Sequence, residues 1–214
     1  MRTKALLGVA AAFAAGALTV SAQVYSVNIV GYVNQATTGG QLHLVQNPLD
    51  NGTNTLNSVL AGSPAGSEAY VWNGSGYTPS LVGAKTGVWS PDTAIPTGVG
   101  FFFRPSANRT NTYVGQVLAG PGESVTNSLA NGVLDLTGSL LPLATTNHST
   151  DAAFGLTGAP AGSALYKWNG SGYTPSLVGA KSGTWSPGVS IAVGESVFIQ
   201  PAGAFDWTQT LPAN

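Results

Sequence analysis

The chain contains no cysteine and few charged residues. Only 7% of its 214 residues are Asp, Glu, Lys or Arg, and its net charge is −1. Because cysteine is absent, disulfide bonds, thiol nucleophiles and thiolate metal ligands are excluded. Because Lys and Arg form no cluster, the chain lacks the basic surface that displaces counterions from nucleic acids, and we expect no nucleic-acid partner.

The low charge does not indicate disorder, because 43% of the residues are hydrophobic. The hydrophobic residues occur in short runs separated by turn-forming residues, which include 29 glycines and 13 prolines. Many short apolar runs with frequent turn signals are typical of an all-β protein.

One long apolar run lies at the beginning of the chain. Met1 to Lys4 is cationic, Ala5 to Val20 is uncharged and apolar, and Ser21 and Ala22 are small. This pattern predicts a secretory signal peptide over residues 1–22, and therefore a secreted, periplasmic or cell-surface location. The alternative is a membrane anchor, but a run of about 16 residues is short for a spanning helix. We expect no transmembrane segment after cleavage.

A 28-residue stretch occurs twice, at Pro64 to Pro91 and at Pro160 to Pro187. The two copies are 96 residues apart without a gap, and 23 of the 28 positions are identical. The duplication predicts two tandem homologous units, residues 23–118 and 119–214, each an antiparallel β-sandwich or barrel of about 96 residues with at most one short helix. The join at Gly120 to Gly122 is short, so we expect the units to pack together, as separate domains or as one fused β structure.

Within the repeat, Asn73 to Gly76 is a strong hairpin signal, because Asn and Gly accept positive φ at little cost. The first strand of this hairpin keeps its aromatic residues in both copies, while Val71 becomes Lys167. Alternate residues of a strand face opposite sides, so we expect Tyr70 and Trp72 to point into the core and position 71 to point to solvent.

Two further elements follow from the pattern of apolar residues. Gly98 to Pro105 and its copy Gly194 to Pro201 are apolar on both faces, which predicts a strand covered on both sides. Thr53 to Leu60 is the one helical candidate, with Leu56, Val59 and Leu60 on one face and Thr53 or Asn54 as the N-cap.

These motifs together resemble a group of uncharacterised secreted bacterial β-repeat proteins with YxWNGxGY and GxGFFFRP motifs, similar to repeats in surface proteins of environmental Gram-negative bacteria. The resemblance covers nearly all of the chain after the leader, and it implies no activity and no active site. The second copy departs from it, since the NPLDNG motif is lost at residues 141–146. The matching segments are Gly31 to Asn34, Asn47 to Gly52, Tyr70 to Tyr77, Trp89 to Pro91, Gly98 to Pro105 and Tyr113 to Val117.

Residues for catalysis are sparse. His43 lies in an alternating strand and aligns with Asp135, so we expect it to face solvent, and His148 lies in a turn-like segment. The sequence has no nucleophile elbow and no metal-ligand spacing. Acidic residues are not shared between the copies: Glu68 aligns with Ala164, Asp92 with Gly188, and Glu195 with Val99. We therefore expect no catalytic residues, no metal and no cofactor.

Aromatic and basic loop residues of the repeat are the candidates for ligand binding. Exposed indole and phenol rings could stack on sugar rings, although core packing is the common role of such residues. The candidates are Trp89, Lys85 and Tyr77 in the first copy and Trp185, Lys181 and Tyr173 in the second.

From the sequence we expect an exported, non-catalytic structural, adhesive or interaction protein of the cell envelope or extracellular space. Its partners would be other envelope proteins, itself or polysaccharide. Poorly charged strand edges favour self-association. The alternatives are a carbohydrate-binding module with one aromatic site per repeat and an enzyme with one degenerate copy.

Overall fold

The structure, a computed structural model, describes residues 29–213, so the predicted signal peptide lies outside the described residues. The described chain is 44% strand and 2% helix and forms two similar β-sandwich halves, which confirms the predicted fold class. No helix within the described range is long and apolar enough to cross a membrane.

The first half, called unit 1, contains seven strands and one helix among the described residues. The described part of the second half, called unit 2, contains seven strands in the same order. The elements of unit 1 are β1 (Val30–Thr37), β2 (His43–Gln46), α1 (Leu56–Val59), β3 (Glu68–Trp72), β4 (Tyr77–Val82), β5 (Trp89–Ser90), β6 (Gly100–Arg104) and β7 (Arg109–Gln116). Those of unit 2 are β8 (Ser124–Leu129), β9 (Asp135–Gly138), β10 (Ala164–Trp168), β11 (Tyr173–Val178), β12 (Trp185–Ser186), β13 (Ser196–Gln200) and β14 (Phe205–Thr210).

Each unit consists of a two-stranded ribbon and a five-stranded sheet. In unit 1 the ribbon pairs β1 with β7, and the sheet has the order β2-β6-β3-β4-β5. In unit 2 the ribbon pairs β8 with β14, and the sheet order is β9-β13-β10-β11-β12. All of these pairings are antiparallel, so the units have the same topology.

Helix α1 is a single turn within the predicted segment, and its apolar face is as expected. Leu56, Val59 and Leu60 are all buried. The N-cap is Thr55, one or two residues later than predicted, and its backbone N–H donates to Ser58 Oγ at 2.9 Å. This bond satisfies one of the orphan donors at the helix start and explains why the helix begins there.

Each unit has its own hydrophobic core between its ribbon and its five-stranded sheet. In unit 1 this core contains Phe101, Phe103 and Tyr113, and in unit 2 it contains Val197 and Trp207. Strand β6 is buried on both faces. Phe101 and Phe103 face the unit 1 core, and Phe102 faces the opposite side of the sheet and is also buried. The prediction of a strand covered on both sides is confirmed.

The opposite faces of the two five-stranded sheets pack against each other in a third core, which we call the seam. The seam joins the units into one continuous structure, because its residues come from both sheets. Its buried members are Leu44 and Phe102 of unit 1 and Leu136 and Phe198 of unit 2.

The seam changes one part of the predicted orientation of the first hairpin strand, the exposure of position 71. Val71 faces the core of unit 1 and is 6% exposed, while Tyr70 and Trp72 point into the seam. The expectation that position 71 faces solvent was wrong, because both faces of β3 are covered. Lys167 occupies the equivalent position in unit 2, where its Nζ lies 3.2 Å from the carboxylate of Glu195.

Candidate functional site

Trp89 and Trp185 lie in the unit cores. Their exposed fractions are only 3% and 4%. The Nε1 of Trp89 donates to the carbonyl of Leu60 at 3.3 Å, and that of Trp185 donates to the carbonyl of Leu156 at 2.7 Å. A buried ring whose polar atom is already bonded presents no face to a ligand, so the structure places both residues in packing positions.

Lys85 and Lys181 are exposed, in the turns that precede β5 and β12. In the first turn the N–H of Gly87 donates to the carbonyl of Gly83 at 2.9 Å, and the second turn has the same bond at 2.8 Å between Gly183 and Gly179. The turn backbone is therefore used internally, and each lysine extends into solvent.

Tyr77 and Tyr173 are the two sequence candidates that the structure brings together. They are 40% and 42% exposed. The ring centroid of Tyr77 lies 5.1 Å from that of Trp72 and 5.8 Å from that of Phe102, both edge to face. Burial and the neighbouring Tyr173 phenol raise the pKa of Tyr77 to about 12. Both rings therefore sit at the rim of the seam, neutral at physiological pH.

The indoles of Trp72 and Trp168 cross the seam reciprocally. Trp72 Nε1 donates to the carbonyl of Leu134 in unit 2 at 3.3 Å, and Trp168 Nε1 donates to the carbonyl of Leu42 in unit 1 at 2.9 Å. Each indole also packs on a phenylalanine of the other unit. The distance between the ring centroids of Trp168 and Phe102, for example, is 5.3 Å. The repeated hairpin therefore joins the two units.

Near the centre of the seam the strands of the two units interlock through small residues. A Cβ added to Gly138 would overlap the buried amide of Gln46, and one added to Gly100 would lie 2.9 Å from Ser196 Cβ. Ser196 Oγ donates to the carbonyl of Val45 at 2.9 Å. Each unit thus supplies one projecting side chain and one glycine that accommodates the projection of the other.

A cleft of about 540 Å³ opens beside the seam, and we call it the inter-unit cleft. It lies between β1 and β2 of unit 1, the β10–β11 turn and the loop before β13. Sequence reasoning missed this cleft. Its polar and aromatic lining includes Gln35, Gln41, His43, Trp168, Asn169 and Glu195.

Internal contacts hold several of these groups in place. Gln35 Nε2 donates to the carbonyl of Gly194 at 3.0 Å and so ties the unit 1 ribbon to unit 2. The Glu195 carboxylate accepts from Ala192 N–H at 2.9 Å in addition to its contact with Lys167. His43 Nε2 lies 3.0 Å from the Thr38 backbone nitrogen.

His148 is fully buried, which the sequence did not suggest. Its Nε2 lies 3.4 Å from Ser176 Oγ, and its Nδ1 lies 3.1 Å from the backbone nitrogen of Val189. The ring packs edge to face on Trp185 at 5.2 Å. Burial lowers the pKa of His148. Both His148 and Ser176 have no exposed surface, so the pair is enclosed in the unit 2 core and cannot meet a substrate there.

The acidic residues also have structural partners. Glu68 accepts from Tyr70 Oη at 2.6 Å and pairs with Arg104 at 2.6 Å, and these bonds hold the pKa of Glu68 below its usual value. Among residues 29–213, no group of three or more His, Cys, Asp or Glu side chains could hold a metal ion. No protein-family model, curated protein or solved structure matches this chain.

Proposed function

We propose that this chain is an exported, non-catalytic structural or adhesive protein of the cell envelope or extracellular space, acting through protein–protein contacts. The observation that carries the proposal is that the residues repeated in both copies serve in packing and in turns. The aromatic residues kept in both copies of the hairpin build the seam, and the kept asparagines close the turns at 2.9 Å through Asn73 Oδ1 and Asn169 Oδ1. A repeat that supplies packing and turns supports a scaffold role.

The ionisable residues support the same conclusion. The acidic residues differ between the copies, and residues near the seam are engaged in pairs such as Glu68 with Arg104 and Lys167 with Glu195. An enzyme needs an acid, base or nucleophile that reaches a substrate. His148 is enclosed and the described acids form no cluster, so the geometry favours a non-catalytic role.

The outer face of the unit 1 ribbon offers a contact surface. Val30, Tyr32 and Val114 are 69%, 66% and 53% exposed, and Tyr32 lies directly opposite Val114 in the register. The same face of the unit 2 ribbon carries hydroxyl groups, such as those of Thr126 and Thr208, which lie 2.8 Å apart. We propose that the apolar face of the unit 1 ribbon binds a second copy of the chain, because contiguous exposed apolar groups mark association surfaces.

Light scattering of the protein without its predicted leader tests this proposal. We expect the mean mass to rise with protein concentration. Tyr32→Ser with Val114→Thr would give the unit 1 ribbon the polarity of the unit 2 ribbon and abolish the rise. The matched control is Leu177→Ser on the exposed face of β11, which should leave the association unchanged. A strict monomer at all concentrations would contradict the proposal.

The sugar-binding alternative with one aromatic site per repeat has lost its strongest candidates, because Trp89 and Trp185 are buried. The exposed rings that remain, Tyr77 and Tyr173, meet at one place beside the seam. An aromatic site would therefore be shared by the two units.

A further inference from the structure

The inter-unit cleft has the size and composition of a small-ligand site. Its volume of about 540 Å³ falls in the range of roughly 300–1,000 Å³ that is typical of ligand pockets. Four separate segments converge on it, and two of them come from each unit. The seam fixes these segments relative to each other, so the cleft is preformed.

The polar groups of the cleft are mainly carboxamides. Asn34, Gln35, Gln41 and Asn169 all line it. A carboxamide both donates and accepts hydrogen bonds, as a sugar hydroxyl does. Asn169 uses its Oδ1 to accept from the turn N–H groups of residues 171 and 172, so its Nδ2 is the half of the amide that is left to donate to a ligand.

The cleft also has an aromatic wall. Trp168 is held edge-on against Phe102 and by its bond to the Leu42 carbonyl, so its position is fixed. An indole beside a set of amides suits a sugar ring, which has apolar C–H faces and hydroxyl groups at its edge.

The charged groups around the inter-unit cleft favour a neutral ligand over an anionic one. The acidic group that lines the cleft, Glu195, is neutralised by Lys167 at 3.2 Å. The Nζ of Lys167 also donates a hydrogen bond to the carbonyl of Ser190 at 2.5 Å. Among the described residues no Arg or Lys lines the cleft, so these residues offer an anion no Arg or Lys partner there.

The duplication shows that this composition is particular to one side of the molecule. The register of β2 with β6 matches that of β9 with β13, which makes His43 equivalent to Asp135 and Gln41 equivalent to Val133. Val133 is 49% exposed. Glu195 is likewise replaced by Val99 in unit 1. The polar lining is therefore found at the inter-unit cleft but is not repeated at the equivalent place formed by the other strands of the two units.

From these observations we infer that the inter-unit cleft binds a neutral, hydroxyl-rich saccharide through the amides of Gln41 and Asn169 and the indole wall of Trp168. This site does not depend on the self-association proposed above, because Tyr32 and Val114, which form the proposed association surface, do not line the cleft.

Isothermal titration calorimetry with linear hexasaccharides tests the inference. The probes are neutral β-1,4-glucan, β-1,3-glucan, α-1,4-glucan, xylan and mannan fragments, with oligogalacturonate as the anionic comparison. We expect at least one neutral hexasaccharide to bind with a dissociation constant below millimolar and the oligogalacturonate to bind more weakly. No binding of any neutral probe, or tighter binding of the anionic one, would overturn the inference.

A matched pair of variants locates the site. Asn169→Asp keeps the Oδ1 acceptor of the turn but removes the Nδ2 donor, and Asn73→Asp makes the same change in the same turn of unit 1, away from the cleft. We expect Asn169→Asp and Gln41→Ala each to weaken binding about tenfold, the effect of losing one hydrogen bond. We expect Asn73→Asp to bind as the unmodified protein does. Equal weakening by the two Asp variants would place the site elsewhere and refute the inference.

Discussion

The interlocking of the seam predicts a large effect of adding one methyl group at Gly138. A Cβ at this position would overlap Cδ, Oε1 and Nε2 of Gln46. Gln46 is 1% exposed, and its Nε2 donates to the carbonyl of Ser139 at 2.9 Å, so it cannot move away freely. Overpacking a core costs about 1–3 kcal/mol, and the lost hydrogen bond costs about 1 kcal/mol. We therefore expect Gly138→Ala to lower the free energy of unfolding by about 2–4 kcal/mol.

Equilibrium unfolding in urea measures this change. The control is Gly76→Ala, because an added Cβ there meets nothing within 4 Å and the backbone φ does not lie in the left-handed region. This control should change the free energy of unfolding by at most about 0.5 kcal/mol. If the two variants lose equal stability, the close approach of Gly138 to Gln46 of unit 1 is not a property of the folded protein.

A double variant tests whether the cost arises from Gln46. In Gln46→Ala with Gly138→Ala the obstructing amide is gone, so the methyl group fits. We expect the double variant to be more stable than the sum of the two single changes predicts, by about 1–2 kcal/mol. Strict additivity would show that the two residues do not touch.

Three further changes test other parts of the structure. Trp168→Ala should lower the free energy of unfolding by about 3 kcal/mol, because it removes a large ring and a hydrogen bond from the seam, and urea unfolding would measure it. Asn111→Val should raise the free energy of unfolding by about 1–2 kcal/mol. Asn111 is 1% exposed, neither atom of its amide is hydrogen-bonded in the described structure, and its counterpart in unit 2 is the apolar Trp207. A loss of stability in urea unfolding would contradict this reasoning. For His148, the unfolded state binds protons more tightly than the folded state, because burial lowers the pKa in the folded protein. The contribution of His148 to the free energy of unfolding should be constant above about pH 6.5 and fall as the pH is lowered from there. In His148→Gln the fall in stability between about pH 7 and 5.5 should be smaller.

Local patterns in the sequence were sufficient for the fold class and for several of the elements. The Asn-Gly turns, the two-sided apolar strand at Phe101 to Phe103 and the apolar face of α1 all form as predicted. Each of these signals is contained within a few neighbouring residues, and each is determined by backbone preference or by the spacing of apolar side chains.

The seam was not predictable in the same way. Because Val71 becomes Lys167 in the second copy, position 71 was interpreted as solvent-facing. The structure shows that Lys167 reaches Glu195 and the Ser190 carbonyl from a half-buried position, so a lysine there does not indicate an exposed face. Apolar residues on both faces of β6 were the available signal that the two sheets pack on each other.

The inter-unit cleft could not be found from local patterns at all. Trp168 and Leu42, which meet beside it, are 126 residues apart in the sequence. The amides that line the cleft come from β1, the loop before β2 and the β10–β11 turn, and they share no spacing pattern in the sequence. Their convergence follows from the packing of the two units, which sequence periodicity does not specify.

The central claim is that the repeated hairpins join two units into one structure. Differential scanning calorimetry of the protein without its predicted leader tests this claim most directly. Because the seam has its own buried core and reciprocal tryptophan bonds, we expect one transition with equal calorimetric and van't Hoff enthalpies. Two transitions, or a calorimetric enthalpy about twice the van't Hoff value, would show that the units unfold independently and would contradict the account.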